Sequence, residues 1–388
     1  MLALRILSFI VIFFGFVSGA LAASIIELSE HTISYQSGMI DEETLNGDAK
    51  NVVIRQKSRR GGSVLIDQYK MISTVDNGVT KIEDLSLSGI TIIAEDKSKI
   101  TVEELSWRDG EVDRNWIDVI INGVGDENAI MSNLGVITVN NIAGSENGQT
   151  MFTVDSIFFN SAEMQNNPYE NLPISDLSFE FRNIYIPSEV SGDDEFVLGM
   201  QAMGLDGVRM SVALAAKNVL LEDRINTNMT LFLSADKMAD IRMSMAIGTS
   251  DLILSEVNRM VEVADMEDVA DMYIELMMVG MFFNNMDLII ADKGIRNVIM
   301  DDFANENNVT RDQAVTLMMD SVATSIGVAA PNTYAEIDPH LRGFLAEGGT
   351  LYLGLNPTQP VPAASLFGII AIPDQAKDLL GLSIQHQQ

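Results

Sequence analysis

Four six-residue segments share a spacing that strict strand alternation cannot produce. Ile82-Glu83-Asp84-Leu85-Ser86-Leu87 is matched twenty residues on by Val102-Glu103-Glu104-Leu105-Ser106-Trp107. Val154-Asp155-Ser156-Ile157-Phe158-Phe159 is followed at the same interval by Ile174-Ser175-Asp176-Leu177-Ser178-Phe179. Each copy is apolar at its first, fourth and sixth positions. Side chains alternate faces along a strand, so a step of three followed by a step of two needs a bulge or a strand start at the acidic pair. A twenty-residue period fits one hairpin per repeat in a stacked antiparallel sheet. Convergent strand–turn composition would leave the same residues, and the repeat alone does not separate the two.

The rest of the chain to about Gly248 has the same character. Val52 and Ile54 share one strand face, Arg55 and Lys57 take the other, and Ser58–Gly62 turns the chain into Val64 and Ile66, which is a hairpin pattern. Ile241, Met243, Met245 and Ile247 alternate without a break, as a half-buried strand does. After Asp251 the spacing becomes helical, with apolar positions from Leu254 to about Val279. A strand over Met286–Ile290 and a short helix around Ile295–Phe303 follow. Thr310-Arg311-Asp312-Gln313 reads as a capping box opening a helix that stops at Gly327. A helix around Tyr334–Leu345, interrupted at Pro339, precedes an alternating strand at Gly349–Leu355. A Pro-rich connector and two short helical stretches then close the chain.

The first 22 residues read as a secretory signal peptide: Arg5, an apolar core from Ile6 to Val17, and Ala20-Leu21-Ala22 before the cleavage point. The core is short for a bilayer span. The expected product is exported, starts at Ala23, and is not an integral membrane protein after cleavage. With 24 basic and 55 acidic residues the formal net charge is −31, which disfavours nucleic acid as a partner. The chain has no cysteine, as suits a bacterial periplasmic protein and removes a lipidation site. The expected location is therefore the periplasm.

Few residues point to chemistry. The three histidines, His31, His340 and His386, stand in unrelated contexts, and no H-E-x-x-H, G-x-S-x-G, P-loop or dinucleotide-binding glycine pattern occurs. The expectation is a protein that is not an enzyme, with no cofactor and no metal; a hydrolase using paired carboxylates is the alternative that sequence alone leaves open. Asp109-Gly110-Glu111-Val112-Asp113 starts like a calcium loop but continues with Arg114 and Ile120, and reads as an acidic turn. Met277, Met278 and Met281 sit among Leu276, Val279, Phe282 and Phe283, a setting for packing rather than for Cu(I). A Met-rich face also suits a greasy ligand. Arg55, Lys57, Arg59 and Arg60 form the basic cluster of an acidic chain. They are the candidate contact for a phosphate-bearing lipid headgroup or an acidic partner, against the plainer role of a charged hairpin tip that discourages edge pairing.

In its acidic-Leu-Ser repeats and strand meander after a signal, the chain over about 80–250 resembles the AsmA-like envelope proteins. The stretch Gly348-Gly349-Thr350-Leu351 to Pro360-Val361-Pro362, with Leu379-Leu380-Gly381-Leu382-Ser383, is similar to the tail of alphaproteobacterial exported proteins of unknown activity. The first resemblance implies a β-sheet groove that holds lipid acyl chains. The expected fold is α+β: an elongated, mostly antiparallel sheet over 23–250 and an α-rich region with added strands over 251–388. The expected function is a periplasmic protein that binds a hydrophobic, lipid-like ligand or assists envelope maintenance, with lipid or an envelope protein as partner. A structural or protein-interaction module with a packed core is the rival.

Overall fold

The computed structural model describes residues 25–27, 31–40, 46–56, 62–76, 79–94, 97–113, 134–164, 167–169, 174–190, 198–201, 203–263, 280–366 and 373–388. Residues 1–22, the expected signal segment, lie outside them. Strand dominates, more than an α+β reading implies, and among the described residues most helix follows residue 250. The chain divides into two compact units, residues 1–162 with 178–190, and residues 163–177 with 191–388.

The first unit is an antiparallel meander. Its strands are β1 (Ile25–Glu27), β2 (His31–Ser34), β3 (Ser37–Ile40), β4 (Gly47–Gln56), β5 (Ser63–Asp76), β6 (Val79–Ile93), β7 (Lys99–Asp113), β8 (Val136–Glu146), β9 (Gln149–Glu163) and β10 (Ser175–Pro187). Each strand from β4 to β9 pairs with the next, β2 and β3 share β4, and β10 adds to β9. The expected hairpin is present in β4–β5, with Val52 opposite Ile66 and Arg55 opposite Ser63.

A row of special residues crosses this sheet. Asn51 lies opposite Asp67, Asp67 opposite Gly89, Gly89 opposite Glu103, Glu103 opposite Asn141, and Asn141 opposite Asp155. Asn51, Gly89 and Asn141 hold positive φ of 54°, 62° and 51°, as does Asn183 of β10 at 49°. The carboxylates between them accept hydrogen bonds: Asn141 donates to Glu103, and Asn183 Nδ2 to Asp155 Oδ2 at 2.7 Å. A left-handed residue slips the strand's alternation by one, so apolar residues on both sides of the row face inward. Asn tolerates this conformation better than most residues, and Gly is required where the neighbour crowds. A Cβ on Gly89 would stand 2.1 Å from an Asp67 carboxylate oxygen.

The quasi-repeat is the sequence trace of these slips. Glu103 and Asp155 of the repeats sit in the row, Glu83 sits at a second slip opposite Asp109 (φ 56°), and Asp176 of the fourth copy stands at the start of β10. Asp109–Asp113 ends strand β7 and is not the expected acidic turn, and Lys81 pairs with Glu111 at 3.3 Å. The inward residues form one core that includes Ile66, Leu87, Ile90, Val102, Leu105, Trp107, Val139 and Val154, all buried. Trp107 Nε1 donates to the Leu134 carbonyl at 2.6 Å, which satisfies the indole inside the core.

The second unit is built on β11 (Gly207–Leu220), β12 (Arg224–Ala235), β13 (Ala239–Ser250), β14 (Met281–Asp292), β15 (Thr350–Leu355), β16 (Val361–Pro362) and β17 (Leu382–Gln387). The order in the sheet is β11-β12-β13-β14-β15-β17, with β16 on the start of β14. Its helices are α1 (Asp251–Val263), α2 (Ile295–Glu306), α3 (Arg311–Val322), α4 (Pro331–Glu347) and α5 (Pro373–Leu380). The change of pattern near residue 250 is thus the β13–α1 junction, and β13 and β14 pair across it. The Thr310/Gln313 capping box opens α3 as expected. Two expectations are corrected. The helix at 331–347 runs through Pro339, and the chain closes on strand β17 rather than on a helix. Asp374 of α5 caps α4 from outside, accepting from Asn332 N and Thr333 N at 3.1 and 3.3 Å. A helical cluster of Met300, Ala304, Ala314, Val315 and Met319 is buried between α2 and α3.

Candidate functional site

The pairing of β11 to β14 aligns apolar side chains into three rows on one face. Val212, Leu233, Ile241 and Ile290 make the first, and Leu214, Leu231, Met243 and Leu288 the second. Ala216, Met229, Met245 and Met286 make the third. The intervening positions, including Lys217, Asn228, Arg242, Ser244 and Asp287, fall on the opposite face. No charged residue interrupts the three rows, which span roughly 14 Å in each direction. The rows continue onto β15 and β17 as Leu351, Leu353 and Leu355 against His386, Ile384 and Leu382.

The two halves of this face differ. Over β15 and β17 lies α4: Phe344 meets the His386 ring edge-on with centroids 6.3 Å apart, and Leu351 and Ile384 are buried. Over β11 to β14 the side chains stay half-buried, Leu214 is 42% exposed, and none of the twelve belongs to a buried cluster. Within these four strands no described residue has positive φ. The sheet therefore lacks the slips that let the first unit bury its own face. Its one irregularity is a bulge between Ala246 and Ile247 opposite Asn284.

At the turn end of the same strands is a cleft of about 740 Å³. Lys237 in the β12–β13 turn and Lys293 after β14 contribute to one side; Leu198 and Met203 add apolar surface; Asp302 and Glu306 of α2 line the other. Lys293 is committed to Asp240 at 2.5 Å. Burial raises the Asp240 carboxyl, but hydrogen bonds from Lys293 and Ser234 and the Lys293 charge hold it below its usual value. Asp301 is likewise engaged by Arg311 at 2.6 Å. The start of α2 is fixed by Asp292, whose Oδ1 accepts from Gly294 N and Arg296 N, both at 3.0 Å. Arg296, nearly buried against Asp292, donates to the Leu345 and Ala346 carbonyls at 2.8 Å and so ties α2 to the end of α4.

Of the basic cluster, Arg55 is exposed near the end of β4, while Lys57, Arg59 and Arg60 lie outside the described residues. The four therefore contribute one described side chain. Met277 and Met278 also lie outside, and Met281 opens β14 opposite Thr249. Among the described residues no group of three or more His, Asp or Glu is arranged to hold a metal ion. Neither the apolar rows nor the Lys237 cleft is singled out by the sequence reading. The unbroken alternation at 241–247 was the available signal for the rows, but which strands flank it is a matter of pairing.

A family model described as an uncharacterized protein matches residues 232–387, from within β12 to the end of β17. No curated protein matches the chain.

Proposed function

We propose that this protein is a non-enzymatic binder of a hydrophobic, lipid-like ligand, exported to the periplasm and serving the maintenance of the cell envelope. The observation that carries the proposal is the uncharged apolar face of β11 to β14, half-buried beside a stretch of the same face that α4 covers. Contiguous apolar surface of this kind marks a binding face more often than a bare surface. Methionine at Met229, Met243, Met245 and Met286 adds side chains that adapt to irregular apolar partners. No helix among the described residues is long and apolar enough to cross a membrane. The second reading, a protein-interaction module, is favoured by the first unit, whose apolar face is filled by its own side chains.

Native mass spectrometry of the protein purified from its own host tests the proposal. Lipid bound to the wild type and lost in Leu231→Asp and Met243→Asp is the expected result. Lipid-free wild type whose solution behaviour those substitutions leave unchanged would remove the proposal, and a protein partner captured through the same face would put the interaction module in its place.

A further inference from the structure

The geometry points to the cleft between the β12–β13 turn and α2 as a site for a zwitterionic polar group, an amine joined to a phosphate. The inference deepens the apolar-ligand reading and rests on it for the ligand's tail; the polar end is argued from the cleft itself. Two of the charges around the cleft are already spoken for: Lys293 by Asp240, and Asp301 by Arg311, which also reaches Asn297. The remaining ones are of both signs. Lys237 stands at the tip of its turn, exposed, with no ion-pair partner among the described residues, and Asp302 and Glu306 line the α2 side, also without one. The two acids share the outward face of α2, because the opposite face sends Met300, Phe303 and Ala304 into the helical cluster.

A purely anionic group would be attracted by Lys237 and repelled by two carboxylates, and a purely cationic one would meet the reverse conflict. An amine–phosphate group satisfies both sides at once. The cleft volume of about 740 Å³ is ample for such a group, and the cleft lies at the turn end of the strands that carry the apolar rows. A lipid headgroup and a soluble phosphoethanolamine compound share this chemistry, so the test separates the two sources.

The full chain is titrated with vesicles containing phosphatidylethanolamine, with vesicles containing phosphatidylglycerol, and with soluble glycerophosphoethanolamine. The wild type is expected to prefer phosphatidylethanolamine. Lys237→Gln should weaken both lipids by about three- to tenfold, the usual worth of one charge-assisted contact at a half-open site. Asp302→Asn with Glu306→Gln should weaken phosphatidylethanolamine by a similar factor and strengthen phosphatidylglycerol, inverting the preference. All three are surface positions, and circular dichroism checks that the variants remain folded. If both vesicles bind equally to wild type and variants while Leu231→Asp abolishes binding, the cleft inference fails and the apolar face stands. Charge-dependent binding of glycerophosphoethanolamine without uptake of any lipid would keep the cleft and overturn the lipid reading. Binding of none of the probes would overturn both.

Discussion

In the first unit the inward residues of β4 to β9 join one buried core, while in the second the same alternation leaves eleven side chains of β11 to β14 half-buried and Leu214 exposed. The difference lies in the backbone. The first unit carries Asn51, Gly89, Asn141 and Asn183 in the left-handed conformation, one on every second strand, with a carboxylate between each neighbouring pair. Each slip shifts the strand's alternation by one, so that apolar residues on both sides of the row reach the same face and join one buried core. Strands β11 to β14 have no such row, and the apolar face they share stays outside the buried clusters. Among the described residues helix α4 covers that face over β15 and β17.

The comparison can be broken most forcefully at the filled core. Trp107→Ala removes a buried indole and its bond to Leu134, and should cost about 3–5 kcal/mol in denaturant unfolding. A cost near that of a surface substitution would mean the first unit is not packed as described. Arg296→Met should come next, at about 2–3 kcal/mol, because it leaves Asp292 buried with only backbone donors and frees the last carbonyls of α4. The loss should appear in the second unit, as lowered hydrogen-exchange protection of α2 and α4.

Gly89→Ala tests the slip itself. It places a side chain at φ 62° against Asp67 and should cost about 1–3 kcal/mol, whereas Asn141→Gly at φ 51° should be close to neutral. Equal effects at the two sites would deny the row its conformational role. Met243→Ser on the open face should cost less than about 1 kcal/mol, since the side chain is only half-buried; a core-sized loss would show the face to be filled. The smallest effect concerns pH. The Asp338 carboxyl is held below its ordinary value chiefly by the hydrogen bond from Arg342, with Tyr334 and the Arg342 charge adding to it against burial. Because the folded value is depressed, the stabilisation is present above the unfolded value near 3.9 and is lost as pH falls through the folded one. Asp338→Asn should therefore flatten the acid limb of the stability profile slightly, and an unchanged limb would discount the pair.

The three-plus-two step in the repeats was legible because a slip changes which residues must be apolar, and Glu103 and Asp155 occupy the positions it marks. The capping box at Thr310 was legible for a similar reason: its hydrogen bonds are local. Strand β17 was not. Leu382–Gln387 alternates too briefly and ends too polar to announce a strand, and it becomes one through pairing with β15. The helix through Pro339 was also hidden, since local propensity argues for a break there while packing of Leu341 and Leu345 holds the helix together.

By itself the sequence determined the strand-rich character, the break in alternation at the acidic pairs and the local helix start at Thr310, because alternation, backbone preference and capping act over a few residues. Only the tertiary structure decided which strands lie side by side. That choice gathers Leu231, Met243 and Leu288 from distant segments into one open face and sets Lys237 across a cleft from Asp302 and Glu306. Pairing of distant segments depends on the free energy of the whole fold, and no short-range pattern carries it.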